Sequence, residues 1–302
     1  TQGNSFVGAS SNASGTLVWM SSSTDQVLLV DVSGTFENGE TVTDGSATFT
    51  LADTGNPVNA VAKIDGVWSG ADTSAVIIDD WTTGVNNHIR IYTTDLARHK
   101  GKWDENKYIL KETNTNALSI REGNFIVDGL QILVITSGSY DSGIKINEDG
   151  SSKYIQNNII RGDLSGGAVD NMGIWNNLPS GSNVLNIYNN IIYGFVNGSN
   201  QNSAIYLFGA EVNIWNNTIY NNYWGIWNNS NSNYINNIVN NCEYQCYHRN
   251  SGSTSGYNNI FSDGTHVGTN YLSSTTVTFI DPANNDYRLA ETDTVARNAG
   301  TS

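Results

Sequence analysis

Residues 186–192 read NIYNNII, and this phrase of apolar residues around an Asn pair decides the fold. Close variants are YIQNNII at 154–160, NIWNNTI at 213–219, YINNIV at 234–239 and GYNNIF at 256–261. The first Asn of each copy follows the previous one by 32, 27, 20 and 22 residues. These spacings are within or close to the repeat lengths of solenoid proteins. The sequence therefore predicts a series of stacked repeats.

A second phrase alternates with the first, and it consists of a small residue followed by a short apolar strand. It reads GIKI at 143–146, GIW at 173–175, AIY at 204–206 and GIW at 225–227. Each repeat thus contains at least two short strands separated by turns. An earlier repeat follows the same order, with Asp128-Gly129 expected in the place of the Asn pair.

The residues around the Asn pair give a physical reason for stacking. Ile187 lies two residues before the pair and Ile192 lies three residues after its first member. Both can point inward and pack on their counterparts in neighbouring repeats. Asn tolerates the left-handed backbone conformation of a sharp bend, and stacked Asn side chains can hydrogen-bond to their copies.

Composition agrees with a β-rich chain. The 302 residues include 44 Asn and 30 Gly, and only 14% are charged, which suits strands and tight turns better than helices. The net charge of -14 argues against nucleic acid as a partner, because nucleic-acid binding requires clustered Lys and Arg. No apolar run approaches the roughly 20 residues that span a bilayer, so we expect no membrane insertion.

The repeats resemble those of the pectate-lyase-like superfamily of right-handed parallel β-helices. The resemblance covers about residues 70–290 and includes the closing phrase FIDPANNDYRL at 279–289. It implies an all-β fold in which residues 66–302 form a single-stranded right-handed parallel β-helix, a solenoid. Such a fold carries many different functions, so the resemblance says little about chemistry.

The first 65 residues have a different pattern. Segments 15–20, 26–32 and 47–51 read as antiparallel strands, and the turn-rich segment 34–45 separates the last two. This passage is similar to small β-modules of phage structural proteins. We expect residues 1–65 to form a β-rich segment that caps the open end of the solenoid or docks the protein onto a larger particle.

Carboxylates are scarce where a solenoid enzyme would need them. Between Asn171 and Cys242 the one charged residue is Glu211, so the central repeats do not supply the carboxylate pair of a glycoside hydrolase. The alternative catalytic or calcium site lies earlier and comprises Asp141, Glu148, Asp149, Asp163 and Asp170. Solvated charges at the corners of repeats are the simpler interpretation. We therefore expect no catalytic residue and no cofactor, with calcium kept as the alternative.

Aromatic residues are the more suggestive feature of the central repeats. The candidates are Trp175, Tyr206, Trp215, Trp224 and Trp227, which occur in consecutive repeats among many Asn residues. Aromatic faces stack on sugar rings and amides bind hydroxyl groups, which would make a glycan surface. Packing between repeats or against another subunit is the competing interpretation.

Two smaller features remain open at this point. Cys242 and Cys246 are expected to form a short-loop disulfide if the protein is extracellular; His248 adds only a third ligand, so no zinc site is expected. Basic residues concentrate at 90–121, where interspersed carboxylates favour a salt-bridged surface over a site for an acidic sugar.

These observations predict a non-enzymatic structural protein that is extracellular, on a cell surface or on a virion, such as a decoration protein, fibre or adhesin. Its expected partners are copies of itself in a trimer, filament or lattice, a larger particle, and a surface polysaccharide. The alternative is a polysaccharide-degrading enzyme, either a calcium-dependent lyase or a two-carboxylate hydrolase similar to phage tailspikes.

Overall fold

The fold is nearly all-β, as predicted. A computed structural model describes residues 3–21, 26–51, 60–84, 87–148, 150, 152–177, 184–196, 202–209, 211–248, 254–262 and 268–300. Within these ranges a single short 3-10 helix, Pro282–Asn284, accompanies 29 strands, and no helix is long and apolar enough to cross a membrane. The chain divides into two compact units, Thr1–Val58 and Asn59–Ser302.

The first unit is an antiparallel sheet with the strand order β3-β2-β1-β4-β5. Its strands are β1 (Ser5–Gly8), β2 (Ser14–Ser21), β3 (Gln26–Ser33), β4 (Thr41–Thr43) and β5 (Thr48–Thr50). The three predicted strands correspond to β2, β3 and β5. The turn-rich segment 34–45 also contains β4, in which Val42 is fully buried and pairs with Phe49 across the sheet.

The second unit contains three parallel sheets, and each repeat contributes one strand to each of them. Sheet 1 comprises β7 (Val76–Ile78), β10 (Leu118–Ile120), β13 (Ser142–Ile146), β16 (Met172–Asn177), β19 (Ser203–Phe208), β22 (Trp224–Asn229) and β25 (Tyr244–His248). Sheet 2 comprises β6 (Ala60–Ile64), β8 (Ile89–Thr93), β11 (Asn124–Asp128), β14 (Ser152–Gln156), β17 (Val184–Tyr188), β20 (Glu211–Trp215), β23 (Ser232–Ile235) and β26 (Thr254–Tyr257). Sheet 3 comprises β9 (Ile109–Thr113), β12 (Gln131–Thr136), β15 (Ile159–Leu164), β18 (Ile191–Tyr193), β21 (Thr218–Tyr220), β24 (Ile238–Asn240) and β27 (Ile260–Phe261).

The second repeated phrase forms sheet 1, and the residues on either side of the Asn pair form sheets 2 and 3. The core consists of identical or similar residues in register. Ile174 pairs with Ile205 in sheet 1 and Ile187 with Ile214 in sheet 2, and all four are fully buried. Because burying one such side chain contributes about 1.5–3 kcal/mol, these columns fix the register of the repeats.

The Asn pair forms the bend between sheets 2 and 3. The first Asn has the left-handed backbone conformation, as at Asn189 with φ 57° and Asn216 with φ 54°. The second Asn points inward and is fully buried, as at Asn190 and Asn217. In the earlier repeat this place is taken by Gly129-Leu130 rather than Asp128-Gly129, because Asp128 is in register with Gln156, the residue before the pair.

The C-terminal segment packs on the outer face of sheet 3. Its strands β28 (Phe279–Asp281) and β29 (Asp286–Leu289) form an antiparallel hairpin. The Tyr287 ring lies 4.6 Å from that of Tyr193 and 4.9 Å from that of Tyr220. Trp103 belongs to the same buried cluster. The outer face of sheet 3 is therefore a packing surface.

Candidate functional site

The three corners of the repeats differ in how much their lengths vary. The corner between sheets 2 and 3 always has two residues from β14 onward, because the left-handed Asn and the buried Asn leave no room for more. Between sheets 3 and 1 the connection varies from three residues, after β21, to nine, after β18. Between sheets 1 and 2 it also varies, from two residues after β19 to ten after β7. Since variable loops commonly carry function, the face that they border on both sides, sheet 1, is the candidate site.

The outer face of sheet 1 carries a column of aromatic side chains that begins at a lysine. Lys145, Trp175, Tyr206 and Trp227 are in register on neighbouring strands. They alternate with core residues such as Ile174, so they lie on the opposite face of the sheet. We call these four residues the aromatic column.

Contacts within the aromatic column are close. The Lys145 ammonium lies 3.9 Å from the centre of the Trp175 ring, which is the geometry of a cation–π contact. The rings of Tyr206 and Trp227 are stacked at 4.1 Å and an angle of 2°. Trp227 is buried, whereas Trp175 and Tyr206 are half-buried. Trp227 therefore covers one face of the Tyr206 ring, Lys145 lies over the Trp175 ring, and the accessible parts of the column are concentrated at Trp175 and Tyr206.

Further aromatic side chains widen this surface. Tyr140 is 57% exposed and its ring lies 6.3 Å from that of Trp175. Trp224 stacks on Tyr244 at 4.2 Å, and Phe208 is 40% exposed on the same sheet. Three of the five predicted aromatic candidates thus share the outer face, namely Trp175, Tyr206 and Trp227, and Trp224 lies on the same sheet at the start of β22.

The fifth candidate, Trp215, lies elsewhere. It is on the outer face of sheet 2, in register with Tyr188, and the two rings are 6.4 Å apart. The Tyr188 hydroxyl hydrogen-bonds to the side chain of Gln156. The sequence contained a signal for this difference, because Trp215 belongs to the phrase around the Asn pair at 213–219, whereas Trp175, Tyr206 and Trp227 belong to the second phrase.

Sequence analysis did not select Lys145, Tyr140, Phe208 or Tyr244 for this surface. A signal was available for Lys145, because it occupies in GIKI the place that Trp175 occupies in GIW. Burial lowers the pKa of the Lys145 ammonium, and the nearby Arg121 guanidinium lowers it further, while Asp141 opposes both. Tyr140, in a connecting loop, has no counterpart in the repeated phrases.

The five acidic candidates are divided among different parts of the repeat. Asp141 and Asp170 lie at the corner before sheet 1, where the Tyr140 amide donates to the Asp170 carbonyl at 3.1 Å. Asp163 is exposed on β15 of sheet 3 and Glu148 is exposed after β13. Asp149 lies outside the described residues. Within the described ranges, no three His, Cys, Asp or Glu side chains are arranged to hold a metal ion.

The carboxylate of Asp141 is occupied within the protein. It is buried and accepts a hydrogen bond of 2.6 Å from the Thr136 hydroxyl. The Asp170 side chain is half-buried, and its Oδ1 is enclosed without a hydrogen-bond partner among the described residues. Asp170 is therefore partly accessible at the corner before sheet 1, although its Oδ1 is enclosed.

The cysteine pair gives no further site. Cys242 is buried at the corner before β25, with its Sγ 3.8 Å from the Asn222 amide. It replaces the inward Asn of the preceding repeat at this corner. The side chain of Cys246 lies outside the described residues, so the disulfide stays a prediction.

Searches against protein-family models, curated proteins and solved structures found no match. The interpretation of the outer face of sheet 1 therefore depends on its own residues. They are aromatic and amide groups with few charges, on a rigid parallel sheet bordered by loops of variable length.

Proposed function

We propose that this chain is a non-enzymatic extracellular or virion-surface structural protein whose aromatic column binds a saccharide chain. The fold we propose for the second unit is a right-handed parallel β-helix related to the pectate-lyase-like superfamily. The N-terminal sheet would then be a docking module similar to those of phage structural proteins. Four consecutive β-helix repeats would each add one side chain to the column.

The observation that carries this proposal is the concentration of half-exposed aromatic residues around Trp175, Tyr206 and Tyr140 between variable loops. Aromatic edges and faces bind the apolar faces of sugar rings, and neighbouring polar groups select the orientation of the hydroxyls. Strands in a sheet lie about 4.7–4.9 Å apart, so one saccharide residue would extend over roughly one repeat.

The experiment is a comparison of oligosaccharide binding by the wild type, Trp175→Ala and Trp215→Ala. An oligosaccharide array would identify a ligand, and isothermal titration calorimetry would measure its affinity. Loss of affinity of about tenfold or more in Trp175→Ala, with Trp215→Ala unchanged, is the expected result. Trp215 is the matched control because it is a half-buried tryptophan on another sheet.

Self-association is the other use to which this surface is suited, since a second copy could cover the same aromatic side chains. Native mass spectrometry of the same three proteins separates the two. A stable oligomer that Trp175→Ala dissociates, with no oligosaccharide bound by the wild type, would replace saccharide binding by subunit assembly.

A second candidate function, polysaccharide cleavage, is favoured by one specific feature. Asp170 lies at the edge of sheet 1 beside Tyr140, and its Oδ1 has no partner among the described residues. If a bound polysaccharide is degraded, Asp170→Asn should abolish the product while preserving binding. Degradation that survives both Asp170→Asn and Asp163→Asn would eliminate this candidate.

A further inference from the structure

The long connection between β8 and β9 crosses the corner between sheets 2 and 3. It spans residues 94–108 and contacts two later repeats. The Arg98 guanidinium forms an ion pair with Asp128 in the next repeat. The His99 Nε2 lies 2.8 Å from the carbonyl oxygen of Asn157, one repeat further. This connection is therefore fixed over the Asn bends.

A cleft of about 330 Å³ lies between this connection and the Asn bends. Arg98, His99 and Lys100 line one side, and Asn157 and Asn189 line the other. Lys100 and Asn189 are exposed, so the cleft is open to solvent at this edge. Cationic groups thus face amide groups across a concave surface.

The cleft has an excess of positive charge. The Asp128 carboxylate interacts with two guanidinium groups, those of Arg98 and of Arg90, the latter at 3.6 Å. Lys100 forms no ion pair with any described residue. Lys100 therefore adds an unpaired positive charge to a cleft beside which two guanidinium groups share one carboxylate, in a protein whose net charge is -14. An anion bound there would be attracted by the local charge in spite of the negative protein.

His99 adds no charge near neutral pH. Burial lowers the pKa of its imidazole to about 4, and the positive Arg98 contributes to the shift. Its Nε2–H donates to the Asn157 carbonyl, and its Nδ1 accepts a hydrogen bond of 3.2 Å from the Gly101 amide. The neutral ring therefore lines the cleft, and its pKa should respond to a charge bound nearby.

We propose that this cleft binds an anionic group: a carboxylate, sulfate or phosphate. Lys100 and Arg98 neutralise the anion, and the Asn189 amide donates a hydrogen bond to it. The site is separate from the aromatic column on sheet 1, so it adds a charge-selective contact to the proposed function without depending on it. The anion has two possible sources, a free inorganic ion or an acidic sugar.

The test uses the whole chain and sodium sulfate as the probe, with sodium chloride added to keep the ionic strength constant. NMR follows the His99 imidazole and calorimetry measures affinity. Sulfate in the cleft should raise the pKa of His99, because an anion stabilises the imidazolium. Lys100→Gln should weaken sulfate binding by about tenfold.

Lys107→Gln is the matched control, because its ammonium donates to the Leu96 carbonyl at 2.8 Å in the same connection and does not line the cleft. Trp175→Ala should bind sulfate as the wild type does, which separates this site from the proposed saccharide site. An unchanged His99 pKa, or equal sulfate affinity in Lys100→Gln and wild type, would overturn the proposal.

A second arm distinguishes the two sources of the anion. A uronic-acid tetrasaccharide and a neutral tetrasaccharide of the same linkage are titrated into the wild type and Lys100→Gln. Tighter binding of the acidic tetrasaccharide than of sulfate, lost in Lys100→Gln, assigns the site to an acidic sugar. Equal or weaker binding than sulfate assigns it to a free anion.

Discussion

The side-chain oxygen Oδ1 of Asn217 accepts two hydrogen bonds from Asn190, one from its backbone amide and one from its side-chain amide, both at 3.0 Å. Asn217 bonds in the same way to Asn237, also at 3.0 Å. Each side-chain amide donates in addition to a backbone carbonyl, as Asn217 does to Ile187 at 2.9 Å. This ladder connects the buried amides of successive repeats, and each of these described Asn side chains has a hydrogen-bond partner.

Replacing the central member of the ladder should strongly destabilise the second unit. Asn217→Ala removes the acceptor of two Asn190 donors and the donor to the Ile187 carbonyl. Each buried group left without a partner costs about 1–3 kcal/mol, so we expect a loss of at least about 3 kcal/mol in the free energy of unfolding. Urea denaturation followed by circular dichroism measures it.

Asn213→Ala is the control for the ladder. Its amide donates to Asn186 at 3.0 Å on the outer face of sheet 2, where water can replace the partner. We expect a change of about 1 kcal/mol or less. An equal loss in the free energy of unfolding in Asn213→Ala and Asn217→Ala would show that the buried ladder stabilises the fold no more than the hydrogen bond on the outer face does.

The exposed residue of the same bend should respond to backbone conformation and not to hydrogen bonding. Asn216 has φ 54° and is exposed. Asn216→Gly should be nearly neutral, because Gly adopts this conformation without strain. Asn216→Val should cost about 2 kcal/mol, since a β-branched residue is disfavoured there. Unfolding midpoints of the two variants, with Thr218→Val as a control in β21, test this ordering.

The small residue that begins the repeated sheet 1 phrase should not tolerate enlargement at Gly173. A Cβ there would lie 2.6 Å from the Ala204 carbonyl oxygen and 2.6 Å from a methyl group of Ile192. Gly173→Ala should therefore cost about 1–3 kcal/mol through overpacking. Gly167→Ala, where nothing lies within 4 Å of the new Cβ, should leave the unfolding midpoint unchanged. A Gly173→Ala protein as stable as wild type would contradict the close packing.

The repeated phrases were sufficient to predict the strands, the inward residues and the bend. They succeed because every repeat must place an apolar residue on the core column and a left-handed residue at the corner. Contacts between repeats were not predictable in the same way. Arg98 meets Asp128 and His99 meets Asn157 across 30 and 58 residues of sequence, and no local pattern specifies those pairs.

The candidate site was predicted in part for the same reason. Trp175, Tyr206 and Trp227 all belong to the second repeated phrase, so their common place on one sheet could be read from the sequence. Trp215 differs from them only in its place relative to the Asn pair. Asp170 and Tyr140 lie in connections whose lengths vary between repeats, so their neighbours depend on the course of each loop.

The buried imidazole of His99 should make stability depend on pH between about 6.5 and 4. Burial lowers the pKa of His99 in the folded protein to about 4, from an ordinary value near 6.5. The unfolded chain takes up this proton below 6.5 and the folded protein only below about 4. Stability contributed by the neutral ring is therefore fully present above 6.5 and is lost as the pH falls.

The Asp128 carboxylate, whose charge acts on His99, does not change its charge in this pH range. Burial raises the pKa of Asp128, but hydrogen bonds from Arg98 and Asn157 outweigh it and lower the pKa, so the carboxylate stays charged throughout the window. His99 is thus the titrating group of this contact between pH 6.5 and 4.

Comparison with His99→Gln isolates the effect, because glutamine does not titrate and all other groups are shared. The free energy of unfolding of the wild type, relative to that of His99→Gln, should fall by about 3 kcal/mol from pH 7 to pH 4. Urea denaturation at pH 7, 5.5 and 4 measures this difference. A difference that stays constant at these three pH values would mean that His99 has the same pKa in the folded protein as in the unfolded chain. The 94–108 connection would then not bury the imidazole in solution.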